Sequence, residues 1–513
     1  MNKAVNSLII IIVFILNTYT DTLHVRHDAA GLNNGTDWQN AWSSLHDAII
    51  NSKDGDQIWV AAGIYTPCST FSFSSSSSRL KHFKLKKNVA IYGGFTGNET
   101  DFNSRNWINN KTILSGDLNN DDGDNFLNTQ DNCYHVFYHE KALKLDSTSI
   151  IDGFFIMGGN ANSQSGEHGY GGGILNYGAD ISINNVIFAA NQAQRGAAIY
   201  NSESSPSITD AFFMMNKSTT YGGAIFNHNS YGNYFNVSFN GNSAKDGGAL
   251  ANFVGGPLIV NGLFTGNEAT GYGGAIYNNE AYCYFYNITV SGNEAAVGGG
   301  IANLWQTRIY LENTIVWKNF ASSQAHAIAT LDNSLGQPSW THAIHCIVEG
   351  IDDKNHVFTS SSSMFYDSIN NISNDPLFID PVEPNEAPSI EGNYRLSTGS
   401  PAIDAGTNEF LKSKSNKYTI DISGNSRYIN DKVDIGTYEY VNLNTTVRQP
   451  SKHVTSFIHH RNKILRVDSK NADSFRGQAF DLRGRSLWVG YSRNKNLKHA
   501  SGLYLMDKRI INP

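Results

Sequence analysis

Gly222-Gly-Ala-Ile-Phe-Asn227, followed by Phe239-Asn-Gly-Asn242, is the stretch that decides the fold. The first block returns as Gly171-Gly-Gly-Ile-Leu-Asn176, Gly196-Ala-Ala-Ile-Tyr-Asn201, Gly247-Gly-Ala-Leu-Ala-Asn252, Gly273-Gly-Ala-Ile-Tyr-Asn278 and Gly298-Gly-Gly-Ile-Ala-Asn303. Successive closing Asn residues are 25, 26, 25, 26 and 25 apart. A fixed period of this size marks a solenoid in which each repeat is one coil. The second block gives the column Asn191, Asn216, Asn242, Asn267, Asn293 and Asn319, again at 25 or 26 residues.

Two further columns complete the coil. Asn185, Asp210, Asn236, Asn261, Asn287 and Asn313 form a polar one, and Ile183, Ile208, Tyr234, Ile259, Phe285 and Leu311 an apolar one. Short runs rich in Ile, Val and Phe, bounded by Asn and Gly, predict strands and not helices. Three such strands per coil predict an all-β, parallel β-helix, whose right hand is what the family resemblance below implies. Equivalent residues then meet about 4.8 Å apart. Ile174, Ile199, Ile225, Leu250, Ile276 and Ile301 are expected to stack inward, and the Asn176 and Asn191 columns to form amide ladders between coils. Asn also tolerates the left-handed conformation of tight turns.

Alternation along a strand turns the residue after each Ile away from that stack. Tyr200, Phe226 and Tyr277 are therefore expected as partly exposed aromatics. Either a loop covers them or they form a stacking platform for sugar rings.

The chain has 513 residues, a net charge of -7 and 16% charged residues, which excludes the clustered cations of a nucleic-acid binder. Cys68, Cys133, Cys283 and Cys346 lack metal-ligand spacing; disulfides and solitary buried thiols both remain open. Leu8 to Leu16 is an apolar run too short to span a bilayer comfortably, so residues 1–20 read as a secretory signal and the mature chain as lacking a transmembrane span.

Residues 22–66 read as a cap and first strands, with a helix from about Asn40 to Asn51. Residues 67–440 read as the β-helix, with regular repeats over 150–330 and a closing module over 375–440. Residues 441–456 read as a linker and 457–513 as a small, separate β domain, sandwich-like in its alternating strands.

The Gly-Gly-Ala-Ile and Phe-x-x-Asn blocks resemble the repeats of chlamydial polymorphic outer-membrane proteins and, more widely, right-handed parallel β-helix surface proteins. Asn34-Gly-Thr36, Trp38, Trp42 and Trp59-Val-Ala-Ala-Gly-Ile-Tyr65 resemble the opening of bacterial secreted β-helix proteins. Asp375-Pro-Leu-Phe-Ile379, Tyr394-Arg-Leu396, Gly399-Ser-Pro-Ala-Ile-Asp-Ala-Gly406 and Val433-Asp-Ile-Gly-Thr-Tyr-Glu439 resemble the closing module of that class. Phe480-Asp-Leu-Arg-Gly-Arg485, Leu497 and Gly502-Leu-Tyr-Leu505 resemble the C-terminal sorting domain of type IX secretion. That likeness implies secretion machinery as a partner, and a secreted or outer-surface location.

Candidate chemistry is sparse. Glu167 and His168 sit in an insertion before the first full repeat. Asp246 stands alone as a carboxylate in the column before the Gly pairs. Glu268 and Glu294 align in adjacent coils. Asp117, Asn119, Asp121 and Asp124 form the densest acidic cluster, and the first three have the alternate spacing of calcium loops. A solvated acidic turn and a Ca2+ site both remain open; no cofactor is required. Two functions follow as expectations. One is a non-catalytic surface protein for adhesion or glycan binding, its partner an extracellular polysaccharide or a host or cell-surface ligand. The other is a polysaccharide lyase or glycoside hydrolase for an acidic polysaccharide, with its site around residues 115–170.

Overall fold

The computed structural model describes residues 21–67, 78–164, 166–332, 336–413, 418–429 and 431–441, and the backbone of strands between Ser456 and Met506. The expected leader, Cys68 and all but the two ends of the expected linker lie outside these residues.

The chain winds as a parallel β-helix. In the first regular coil, Ile174–Tyr177 lies on a first face, Ser182–Asn184 and Ile187–Ala189 on a second, and Gln192–Arg195 on a third. Each strand pairs in parallel with its equivalent one coil on. The expected apolar stack forms in register, Ile174 to Ile199, Ile225, Leu250, Ile276 and Ile301, and continues to Ile328 and Val357. Phe188, Phe213, Phe239 and Phe264 stack with centroids 5.0, 4.6 and 4.6 Å apart. These rings and the Ile column are fully buried. Each such side chain contributes roughly 1.5–3 kcal/mol, so the core holds through repetition.

Both amide ladders form. From Asn176 to Asn303 each side-chain Nδ2 donates to the Oδ1 one coil on, at 2.8–2.9 Å, and the ladder ends on Thr341 at 3.0 Å. From Asn216 to Asn319 each Oδ1 accepts from both the backbone N–H and the Nδ2 of the preceding Asn, starting with Asn191. The third polar column bends the second face. Asn185, Asp210, Asn236, Asn261, Asn287 and Asn313 all have φ between 50° and 57°. Asn and Asp are the side chains that accept this left-handed conformation most readily. The first Gly of each block is also left-handed: Gly222 has φ 61°, and a Cβ there would lie 2.1 Å from the Ile225 carbonyl oxygen.

The cap helix runs over Leu45–Asn51 and is shorter than expected at its start. Ser44 is its N-cap, accepting from the Asp47 N–H, while the Asp37 carboxylate holds Asn40 in a preceding turn. Leu45, Ala48 and Ile49 face the core.

Residues 375–440 do not simply extend the stack. They fold back over the outside of the second face, where Phe378, Tyr394, Leu396 and Ile435 pack on Leu263, Ile315 and Ile347. Arg427 is fully buried there, bonded to Glu439 at 2.8 Å and to the bend residue Asn261 at 2.6 Å. Cys133, Cys283 and Cys346 are buried free thiols, so no disulfide joins the described residues. Toward the C-terminus, Ser456–His460 pairs antiparallel with Lys463–Val467, and Phe475–Phe480 with Ser486–Tyr491. Among the described residues no helix is long and apolar enough to cross a membrane.

Candidate functional site

The outer side of the first face carries a continuous aromatic tract. Its floor is the column after each Ile, and here one expectation is corrected. Tyr200, Phe226 and Tyr277 do face away from the Ile stack, but they are only 6%, 2% and 5% exposed. Among the described residues no separate loop packs on them. The columns on either side lean over them: Tyr170, Tyr221 and Tyr272 from before the Gly pairs, Tyr177 and Phe253 from after the Asn. Tyr170 stacks on Tyr200 at 4.8 Å, and Tyr221 lies parallel to Tyr277 at 6.2 Å. Burial of the floor raises the Tyr200 hydroxyl to about 12. The half-buried flanking rings are the groups a ligand would meet. The Arg195 guanidinium lies 5.2 and 5.5 Å from the Tyr170 and Tyr221 rings, a cation–π geometry.

At its N-terminal end the tract runs through Tyr138 into a histidine pair. Tyr138 lies 6.5 Å from Tyr177 and 5.6 Å from His135. His135 sits just before the first-face strand Phe137–His139. Its Nδ1 bonds to the Gly171 carbonyl at 2.9 Å, so Nδ1 carries the proton. Its Nε2 is then an acceptor, and it faces the His168 Nδ1 at 3.3 Å. That leaves the His168 Nε2 as a bare acceptor on a half-buried ring. Tyr134 stacks on His168 at 4.8 Å and is backed by Arg79 at 4.1 Å. Arg79 is fixed by the carbonyls of Asn132 and Asn160. Tyr138 donates its hydroxyl to Glu167. Burial holds His135 down at about 3 and lowers His168 less far. Both imidazoles are therefore neutral near pH 7, and His168 is placed to accept a proton.

The structure thus joins Glu167 and His168 to groups the sequence reading passed over, namely His135, Tyr134, Tyr138 and Arg79. Asp246 stays apart. It is buried in its own turn, where its carboxylate accepts from the Tyr272 N–H at 2.9 Å and burial raises its pKa. Glu268 and Glu294 are register partners on the third face, and burial followed by the Glu294 charge raises Glu268.

The acidic loop gathers Asp117, Asp121 and Asp131, whose carboxylate oxygens lie within 4.8 Å of one another. These three could hold a divalent cation. Asp131 was outside the predicted set. Asn119 joins through its backbone, donating to Asp131 at 3.0 Å. Asp124 instead opens a short 3-10 turn, Asp124–Phe126. The Asp117 carboxylate already accepts from the N–H groups of Asp121 and Asp122, as a structural turn requires.

Comparison with known proteins adds the following. Residues 261–279 match the model of the Chlamydia polymorphic membrane protein repeat. The Escherichia coli (strain K12) protein Probable autotransporter YfaL is 33% identical over 165 residues, 27% of this chain. The chain spans only 13% of that relative's length. Among solved structures, pectate lyase Pel9A aligns over 82% of this chain and 97% of its own, with TM-score 0.44 and 13% identity. A rhamnogalacturonan lyase aligns over 74% and 97%, with TM-score 0.38 and 13% identity.

Proposed function

We propose that this chain is an exported β-helix protein that binds polysaccharide at the cell surface without turning it over. The observation that carries the reading is the tract of half-buried tyrosines over a buried aromatic floor, with Arg195 between them. Flat, weakly polar rings in line suit the C–H faces of sugar rings, and tyrosine hydroxyls at the rim suit their hydroxyls. The repeat match and the autotransporter relative support a surface location. The sorting-domain resemblance of residues 457–513 supports export through the type IX machinery.

The test is polysaccharide retardation in native affinity gels. Tyr221→Ala and Tyr177→Ala are expected to lower retention severalfold while the melting temperature holds. Unchanged retention in both variants would sink the reading.

A second reading rests on the histidine pair. A neutral His168 acceptor braced by His135, with the Tyr138 hydroxyl and a guanidinium close by, has the groups that proton abstraction from a uronic acid needs. On this reading the protein is a lyase, and it releases unsaturated sugars absorbing in the ultraviolet. His168→Gln abolishes that release, whereas no release from a panel of acidic polysaccharides removes the lyase reading.

A further inference from the structure

The last coils carry a second aromatic surface, on the outer side of the second face, away from the tract above. Tyr284, Tyr310, His342 and Tyr366 are register partners in four successive coils. The neighbouring column, two residues earlier in each strand, is Tyr282, Arg308, Trp340 and Met364. The columns lie about 6.6 Å apart, and each spans about 14 Å along the stack.

This surface is open. Tyr282, Tyr284, Tyr310 and Tyr366 are 46%, 43%, 40% and 45% exposed. Next to it on the same face the closing module covers an outward ring, as Phe410 stacks on Tyr286 at 3.5 Å. The rings are also held. Tyr284 and Tyr310 stack at 5.0 Å and 7°, and His342 lies 5.6 Å from Tyr310 and 5.9 Å from Tyr366. Contiguous exposed rings held in register are the kind of apolar surface that binding sites present.

The charge on it is specific. Arg308 lies 4.0 Å over Trp340 and 5.5 Å from Tyr282. No carboxylate pairs with it among the described residues, in a chain whose net charge is -7. The rings orient the guanidinium, and its N–H fork meets no acceptor among the described residues. The ligand that satisfies both features carries sugar faces for the rings and a carboxylate for the fork.

We infer that this platform binds a polysaccharide built of uronic acids, with a sugar ring on Tyr310 and its carboxylate on Arg308. The inference stands on residues distinct from the first-face tract and does not need it.

The test measures binding of polygalacturonate and of its methyl ester to the full chain and to Tyr310→Ala, Arg308→Gln and Tyr221→Ala. Tyr310→Ala is expected to weaken both polymers by about three- to tenfold. Arg308→Gln is expected to weaken polygalacturonate about tenfold or more and the ester little. Tyr221→Ala reports the first-face tract, so the two sites fail separately. Equal affinity of the wild type for acid and ester overturns the assignment. So does acid binding that survives both platform variants when each is combined with Tyr221→Ala. A concentration-dependent dimer lost in Tyr310→Ala, with no polymer bound, would give the surface to a second copy and overturn it too. Unchanged circular dichroism in each variant excludes misfolding.

Discussion

Replacing Asn242 by Ala tests what the ladders do. Asn242 and Asn252 are both fully buried amides, ten residues apart in the chain. Truncating either removes the same atoms and leaves a similar cavity, so that part cancels. Their partners differ. The Asn242 Oδ1 accepts the Asn216 backbone N–H at 3.0 Å, and its Nδ2 donates to the Phe213 carbonyl at 2.9 Å. Asn242→Ala therefore orphans two backbone groups, at about 1–3 kcal/mol each. Asn252 bonds to the side chains of Asn227 and Asn278 at 2.8 Å and to the Cys283 sulfur at 3.7 Å. Its loss strands side-chain groups that retain other partners or can rotate.

Asn242→Ala is thus expected to cost more than Asn252→Ala, by about 1–3 kcal/mol. A solenoid opens coil by coil, so global unfolding alone is a blunt measure. Urea melts should be joined by hydrogen exchange at the Asn216 amide, which is expected to speed up in Asn242→Ala and not in Asn252→Ala. Equal destabilisation, or an Asn216 amide that stays protected, would refute the idea that the turn ladder acts by satisfying backbone.

Three further outcomes are expected. His139 is fully buried; its Nδ1 donates to Asn176 at 2.8 Å and its Nε2 lacks a partner among the described residues. Burial lowers His139 to about 4 and His135 to about 3, from 6.5. Their stabilising effect is complete above pH 6.5 and is lost as pH falls toward those values. Going to pH 5 should cost about 2 kcal/mol per imidazole, and urea melts of His139→Gln should show a shallower pH slope. Glu439→Gln leaves the Arg427 guanidinium buried without its counter-charge, costing about 3–5 kcal/mol. Limited proteolysis should then cut within residues 375–440, whereas the double change Arg427→Met with Glu439→Leu should restore resistance. Gly222→Ala forces a side chain into the left-handed region at about 1–2 kcal/mol, before its contact with the Ile225 carbonyl is counted, and should lower the melting temperature.

The coil was legible because its causes repeat. Ile225 predicts Ile199 and Ile276 by spacing alone, and one set of left-handed bends falls on the column where Asn or Asp always stands, whereas another falls on Ala190, Met215 and Lys318, which no common residue type marks. What does not repeat was not legible. Alternation gives the direction of Tyr200 and not its exposure, which depends on how far Tyr170 and Tyr177 lean across it. His135 precedes the regular array. Reading Phe137–His139 as a first-face strand, which the register Phe137 to Ile174 later makes plain, would have placed it beside the insertion. Asp131 reaches Asp117 only because the intervening loop doubles back. The return of residues 375–440 along the second face depends on contacts such as Arg427 with Asn261, which are far apart in sequence and leave no periodic trace.

Each amide in the Asn176 ladder donates toward the C-terminus, from Asn176 through Asn278. The row of dipoles therefore points one way, and every interior coil presents the same socket below and the same plug above. On the N-terminal side of the coils that residues 375–440 cover, a pair of neighbouring coils could be duplicated or excised without altering either end. Repeat number is then a quantity that unequal recombination can change freely, and the reach of any ligand lying along the axis would lengthen or shorten with it in whole rungs.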